Sequence, residues 1–373
     1  MTLTDYRTLG RSGLVVSPLA LGAMTFGAGR WGTGEAGSHA VLDAYVGAGG
    51  NFIDCADVYS GGASDEMVGR FVAERGLRDQ VVLATKAGFN QVKGNPNAGG
   101  NGAKNVRASL EQSLRRLGTE YVDLFWLHVW DTVTPAEEAL QTLGDLVRAG
   151  KIRYFGVSNA PAWYVTRMVT LAAAHGVPGP VAMQLHYSLV DRDIEREHVP
   201  MARELGLAVQ PWAPLAAGFL TGKYERATVE GRTDGPRWHA LPDAAGAESA
   251  EGSDGRLNGA NPFGDSLFTP RNWDILEVLR RVAAEGGHSM AQVALRWAVG
   301  QSGICAPVVG ASRPAQVDEN VAALGIELSA AQVAALDDAS SPLPSYPYVI
   351  FSRGMNRMVF GGADVAGWTP PVA

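Results

Sequence analysis

Eight short apolar runs, each separated from the next by a stretch of helical or loop character, limit this chain to very few folds. The runs are Leu19–Met24, Asn51–Ala56, Val81–Thr85, Tyr121–Leu127, Ile152–Val157, Val181–Leu185, Leu207–Gln210 and Ile304–Val309. Helical segments are expected at His39–Ala48, Ser64–Glu74, up to Leu117, Pro135–Gly150, Pro161–His175, Glu195–Leu205 and from Pro314. Ser64 and Glu66 offer acceptors for open amides, and Pro135 and Pro314 suit the first helical position. Such alternation implies parallel strands, and eight repeats suggest closure as an α/β, (β/α)8 TIM barrel. An open doubly wound sheet is the rival, but no Gly-x-Gly-x-x-Gly opens a helix after the first run. Before that run, Tyr6–Val16 carries Gly10-Arg-Ser-Gly13 and reads as a β-hairpin capping the bottom of the barrel.

Two segments break the rhythm of what is otherwise expected to be one domain over 1–373. From Ala216 to about Arg271, after the seventh run, Gly, Asp, Arg and Pro predominate without a period. A loop this long is usually functional or disordered, and its position places it on the active rim. The tail from Ser340 to Ala373 carries Tyr346, Tyr348, Phe351, Phe360 and Trp368. It is too aromatic for a disordered tail and is expected to pack back onto the barrel.

Four polar side chains sit at or just past the ends of three neighbouring runs: Asp54, Tyr59, Lys86 and His128. Strand ends of a parallel barrel share one rim, so these four can meet. Lys86 directly follows Val81-Val-Leu-Ala-Thr85 and is drawn inward, where an ammonium needs a carboxylate partner, and Asp54 is one strand away. The ammonium is expected to lower the Tyr59 pKa from its reference of about 10, making it a proton donor for a carbonyl that receives a hydride. Taken singly, Asp54 reads as an acid bonding loop amides, Tyr59 as rim packing and His128 as a hydrogen-bonded rim histidine. Asp57 lies beyond the apolar run and reads as a loop residue. Gln184 could satisfy a buried amide or bond a ligand's carboxamide, and Trp212 could be packing or a platform for a ring. His186, Tyr187, Trp126 and Trp130 read as supporting residues or pocket wall. Gly310-Ala-Ser-Arg313 precedes a helix bearing Gln316, Glu319 and Asn320, which is either a capped surface helix or a phosphate site of the kind found after strands seven and eight.

Composition removes other classes. The 373 residues are 46% hydrophobic and 18% charged, enough for a large buried core, and a net charge of -7 argues against a nucleic-acid surface. Cys55 and Cys305 fall in predicted strands and read as small buried hydrophobes. No His, Cys, Asp and Glu set has metal-ligand spacing, and the Gly-x-Ser-x-Gly elbow of a hydrolase is missing. With no basic-then-apolar leader and no run of membrane length, a soluble cytoplasmic protein is expected, as monomer or homo-oligomer.

From Tyr6 to about Leu324 the sequence resembles the aldo-keto reductase superfamily. The marks are Asn51-Phe-Ile-Asp-Cys-Ala-Asp-Val-Tyr-Ser60 with Gly62, Ser64, Glu66 and Gly69, then Ala84-Thr-Lys86 and Asp123-Leu-Phe-Trp-Leu-His128. Further along come Gly156-Val-Ser-Asn159, Gln184, Trp212-Ala-Pro-Leu215, Thr221-Gly-Lys-Tyr224 and Gly310-Ala-Ser312 with Gln316, Glu319 and Asn320. The resemblance implies a (β/α)8 barrel using NADPH, with a catalytic tetrad on Asp54, Tyr59, Lys86 and His128. It places the carboxamide on Ser158, Asn159 and Gln184, beside Gly22, Ala23, Met24 and Asp54, and stacks the nicotinamide on Trp212. The pyrophosphate and 2′-phosphate end would fall to Ala213, Pro214, Leu215, Gly218, Lys223, Gly310, Ser312, Arg313, Gln316, Glu319 and Asn320. Ala23 replaces a common threonine, and Gly310 a lysine of mammalian-type members, which shifts 2′-phosphate recognition toward Arg313.

The Gly94–Asn105 stretch and His128-Val-Trp-Asp131 resemble the aryl-alcohol dehydrogenase-like branch, whose neighbours reduce nucleotide-linked keto sugars. The expected reaction is reversible reduction of an aldehyde or ketone, Tyr59 giving the proton, with Met24, Tyr59, Phe89, His128 and Trp130 around the substrate. A cofactor-binding sensor or regulatory subunit of the same fold, and a barrel isomerase with a phosphate-bearing substrate, are the rivals.

Overall fold

A computed structural model describes residues 1–27, 32–226, 257 and 267–366. Eight parallel strands stand in the order β10-β3-β4-β5-β6-β7-β8-β9. They are β3 (Ala20–Gly22), β4 (Phe52–Asp54), β5 (Val82–Ala87), β6 (Val122–Leu127), β7 (Ile152–Ser158), β8 (Ala182–His186), β9 (Ala208–Trp212) and β10 (Val308–Gly310). β10 pairs with β3, and a single bridge between Val209 and Ile304 brings its approach to β9, so the sheet curls into a (β/α)8 barrel. Helices α1 (Glu35–Gly47), α2 (Ala63–Glu74), α3 (Ala103–Leu117), α4 (Ala136–Arg148), α5 (Ala162–His175) and α6 (His198–Leu205) follow successive strands.

Two apolar clusters hold the barrel. Outward residues such as Leu83, Phe125, Phe155, Met183 and Val209 pack against helix residues such as Leu110, Leu143 and Val165. Inside, Phe52, Ala84, Leu124, Trp126 and Ala182 meet Leu9, Leu14 and Val16 of an N-terminal hairpin formed by β1 (Arg7–Thr8) and β2 (Val15–Val16). Every residue of β5 is buried, as both faces of a parallel strand are covered. Gly10 at the hairpin tip adopts a left-handed φ of 62°, and a Cβ there would lie 2.5 Å from the Val181 carbonyl oxygen. That approach lets Arg11 N donate to the Gly206 carbonyl at 2.8 Å and seals the lower end. Only the upper rim remains for chemistry.

Several boundaries differ from the sequence expectation. The eighth strand is Val308–Gly310 rather than 304–309, because Pro307 interrupts the run and leaves Ile304 as a bridge. α1 begins at Glu35, four residues before the apolar period becomes visible, and α6 begins at His198 after a 3-10 turn at Asp193–Glu195. Pro135 caps α4 with extended backbone instead of opening it. Ser64 does not cap α2: its hydroxyl donates to the Ala23 carbonyl at 2.8 Å and ties α2 to the β3 rim.

Between β9 and β10, two helices stand where no period had been assigned, α7 (Pro270–Gly286) and α8 (Met290–Gly300). Thr269 caps the first, and a Ser289–Gln292 capping box starts the second. Of the expected loop over 216–271, residues 216–226 form a 3-10 turn at Ala216–Thr221 and its continuation, while most of the remainder lies outside the described residues. After β10 come α9 (Pro314–Ala322), with Pro314 at its first position, and α10 (Ala330–Ser340). Residues from Ser341 form a separate unit, with a 3-10 turn at Tyr348–Ile350 and α11 (Arg353–Val359); Trp368 lies outside the described residues.

Candidate active site

The upper ends of β4, β5 and β6 bring Asp54, Lys86 and His128 to one place, and the first loop turn after β4 adds Tyr59. Lys86 points inward from β5 and is fully buried. Its ammonium contacts Asp54 Oδ2 directly, donates to the Cys55 carbonyl at 2.7 Å and reaches Tyr59 Oη at 3.3 Å. All three donors of the ammonium are thereby used. Asp54 Oδ1 accepts from Gln184 Nε2 at 3.0 Å, and the same nitrogen donates to Gln210 Oε1 at 2.8 Å. Gln210 Nε2 continues to the Ala306 carbonyl at 3.0 Å. A charged pair in the barrel is thus held by a polar chain that crosses the interior.

Burial opposes the Lys86 charge, but Asp54 and then Tyr59 outweigh it, so the ammonium titrates above its ordinary value. The Tyr59 phenol is pushed up by burial, with Lys86 opposing and Asp54 adding. The expected lowering is therefore reversed, because desolvation dominates and the Asp54 carboxylate offsets the cation that would have produced it. Burial, followed by Lys86, holds His128 well below the usual imidazole range and leaves it neutral. Its ring meets Tyr59 edge to face at 5.8 Å and Phe89 at 4.8 Å.

Three loops frame that imidazole. Asp131 accepts from Asn101 N at 2.7 Å, Val133 N at 3.1 Å and Thr134 N at 2.8 Å, joining the Gly/Asn-rich loop after β5 to the loop after β6. Asn101 Nδ2 donates to the Val129 carbonyl at 2.7 Å, and Asn159 Nδ2 to the His128 carbonyl at 3.0 Å. Trp130 stands edge to face on Trp163 at 5.6 Å, and Trp163 is 58% exposed.

On the other side of the barrel, Ser158 lies opposite Gln184 in the β7–β8 register, and Asn159 follows with a left-handed φ of 47°. Asn159 Nδ2 also donates to Ser158 Oγ, while its Oδ1 accepts from Trp212 Nε1, each at 3.0 Å. Gly22 sits between Asp54 and Gly310 in register; Ala23 N donates to the Asp54 carbonyl at 2.9 Å, and Met24 comes next at the rim. After Trp212, Ala213-Pro-Leu215 leads into the 3-10 turn, where the Lys223 side chain crosses Gly218.

Ser312 donates its backbone N–H and hydroxyl to Gln316 Oε1 across the first turn of α9, at 2.8 and 3.2 Å. Exposed Arg313 and Glu319 flank that turn, and buried Asn320 returns to the Gly310 carbonyl. A helix N-terminus, a guanidinium and a hydroxyl form a donor set suited to a phosphorylated ligand.

The aldo/keto reductase family matches this chain over residues 18–341. An aryl-alcohol dehydrogenase (NADP+) of Phanerodontia chrysosporium is 34% identical over 357 residues, covering 92% of this chain and 87% of that protein. A norsolorinic acid reductase of Emericella nidulans is 35% identical over 340 residues, covering 88% and 79%. An aryl-alcohol dehydrogenase of Pestalotiopsis microspora is 31% identical over 372 residues, covering 97% and 88%. The chain belongs to the aldo/keto reductase family. It is an oxidoreductase of that family, which acts on small carbonyl compounds. Among the described residues no helix is long and apolar enough to cross a membrane.

In this aldo/keto reductase, sequence reading passed over Gln210, Asp131, Asn101 and Trp163. Gln210 ends an apolar run as Gln184 does and pairs with it in register, a signal that was available. Asp57 is no ordinary loop residue. It is fully buried without a well-formed hydrogen bond to either carboxylate oxygen, and burial, with Asp65 adding and Arg116, Gln91 and Ser109 only partly opposing, pushes its pKa up to about 7.

Proposed function

We propose that this aldo/keto reductase reversibly reduces aryl aldehydes or ketones to alcohols with NADPH, Tyr59 serving as the proton donor. The observation that carries the reading is the buried contact set joining Tyr59 Oη, Lys86 Nζ and Asp54. When bound, the reduced nicotinamide supplies the hydride. Tyr59, raised above its ordinary pKa, keeps its proton at neutral pH and gives it to the substrate oxygen. The phenolate left behind stands 3.3 Å from the Lys86 ammonium, and Asp54 fixes that ammonium in place. Neutral His128 acts as a hydrogen-bond partner that orients the carbonyl oxygen, not as an imidazolium acid.

Ser158, Asn159 and Gln184 would hold the carboxamide, Trp212 would face the nicotinamide ring, and Lys223, Ser312 and Arg313 would take the phosphates. Arg313 gives the preference for a 2′-phosphate. The exposed aromatic edges of Phe89 and Trp163, with Trp130 between loops, favour a flat aryl substrate over a keto sugar, which would need polar partners. The names of the relatives point the same way.

Steady-state assays with NADPH across aryl aldehydes, quinones and keto sugars test the substrate class, and Tyr59→Phe tests the donor. We expect aryl turnover in the native protein and roughly a 10³-fold loss of kcat in the variant, with NADPH affinity within twofold. Full activity of the variant would remove Tyr59 from the reaction. Tight NADPH binding with no turnover on any carbonyl would instead support a regulatory subunit.

A further inference from the structure

His186 lies outside the chemistry above, yet it stacks directly on Trp212 at the rim. It ends β8 and stands opposite Trp212 in the β8–β9 register, two residues beyond the Gln184–Gln210 pair. Side chains alternate along a strand, so His186 and Trp212 share the inward side one layer above those glutamines. Their rings stack at 4.3 Å with 24° between planes. His186 Nδ1 is 2.8 Å from Asp191 Oδ2, and Asp191 is itself fixed by reciprocal backbone hydrogen bonds with Ser188 at 3.0 and 3.1 Å. The imidazole holds one face of the indole, and Asn159 holds its Nε1. The imidazole covers the face of the indole on which it stacks, so a ligand ring on Trp212 does not use that face. Asn159 then bonds the His128 carbonyl, so the chain of contacts runs from Asp191 to the catalytic rim.

We propose that His186 and Asp191 are positioning residues for the nicotinamide: Asp191 holds the imidazole, which backs the Trp212 indole and sets the plane in which the nicotinamide ring stacks. The proposal rests on Trp212 facing the nicotinamide. It separates the two ends of the cofactor, since the phosphate-binding residues after β10 take no part in the stack.

Binding of two probes distinguishes this from general support of the fold. NADPH carries the ring, and adenosine 2′,5′-bisphosphate carries only the far end. An aromatic stack contributes enough that His186→Ala should weaken NADPH binding by about fivefold to tenfold, while binding of the bisphosphate changes by less than about twofold. His186→Phe, which restores a flat ring without the contact to Asp191, should recover most of the loss. Asp191→Asn should cost NADPH about twofold to threefold, because the imidazole stays but is less firmly held. Equal weakening of both probes, or no rescue by phenylalanine, overturns the positioning role. Trp212→Leu is the control on the underlying reading: if it leaves the NADPH-to-bisphosphate difference unchanged, Trp212 does not face the nicotinamide, whatever His186 does.

Discussion

Asp54 and Asp57 are three residues apart and equally hidden from water, yet their electrical surroundings are opposite. Asp54 ends a strand, points into the barrel and meets Lys86 and Gln184. Asp57, in the loop that follows, has no well-formed hydrogen bond to either oxygen and only weaker approaches from Gln91 and Ser109. The nearby Arg116 guanidinium donates at 2.9 Å to the Asp57 carbonyl, not to its carboxylate, and passes where Gly62 has no side chain. Asp65 on α2 is intermediate, accepting from Ser113 Oγ at 2.8 Å and Thr85 Oγ1 at 3.3 Å, and burial leaves its pKa at about 6. Burial is common to all three; the supply of donors separates them. A buried acid with few donors keeps its proton to higher pH, as Asp57 and then Asp65 do.

The strongest way to break this contrast is to turn Asp54 into a second Asp57. Lys86→Met removes the cation and leaves the carboxylate buried, which should cost about 3 to 5 kcal/mol of stability near neutral pH. Asp54 should then bind a proton, so the penalty should shrink as pH falls toward 4. Urea denaturation at several pH values reads both effects, and a loss independent of pH would mean that Asp54 finds another partner.

The converse change is Asp57→Asn. In the native protein Asp57 keeps its proton up to about pH 7, whereas the unfolded chain releases it near 3.8. Between those values the folded state binds more protons, so its stability falls as pH rises and levels off above 7. The roughly three-unit shift sets an upper bound of about 4 kcal/mol on that penalty. Asp57→Asn should therefore be more stable than the native protein at pH 8 and nearly equal to it at pH 4. Parallel stability curves for the two proteins would show that Asp57 carries no such penalty.

This contrast also marks how far the sequence can be read. The strand runs exposed the barrel, and with it the rim shared by Asp54, Lys86 and His128, because inward alternation in a parallel barrel leaves few alternatives. The same logic discarded Asp57: beyond the apolar run a loop acid is normally wet, and nothing local reveals that α2 and α3 close over it. The sign of the Tyr59 shift failed for a related reason, since a neighbouring cation can be named from spacing but the depth of burial that outweighs it cannot. α7 and α8 were missed because α7 follows a long stretch without periodicity, and α8 is apolar around much of its surface, with Ala291, Val293, Ala294, Leu295, Trp297 and Ala298 all buried. The stack of His186 on Trp212 depends on the β8–β9 register, which no single strand declares.

The finest resolution comes from Asp65, where the contrast is one of degree. Ser113→Ala deletes the shorter of its two hydroxyl bonds and changes little else in volume. Above pH 6 the native carboxylate is ionised and the hydroxyl stabilises that charge, so the loss should be about 1 kcal/mol. Below pH 5 the carboxyl is already neutral in the folded state, the lost bond is worth less, and the difference should narrow. Removing the donor also lifts the Asp65 pKa further, which moves the pH at which the native and variant stabilities diverge to a lower value than the variant's own titration. Measured unfolding free energies at pH 5 and pH 8 decide the matter. A cost that is the same at both would mean that Ser113 supports α3 packing, not the Asp65 charge, and the ordering of the three acids by their donors would not hold.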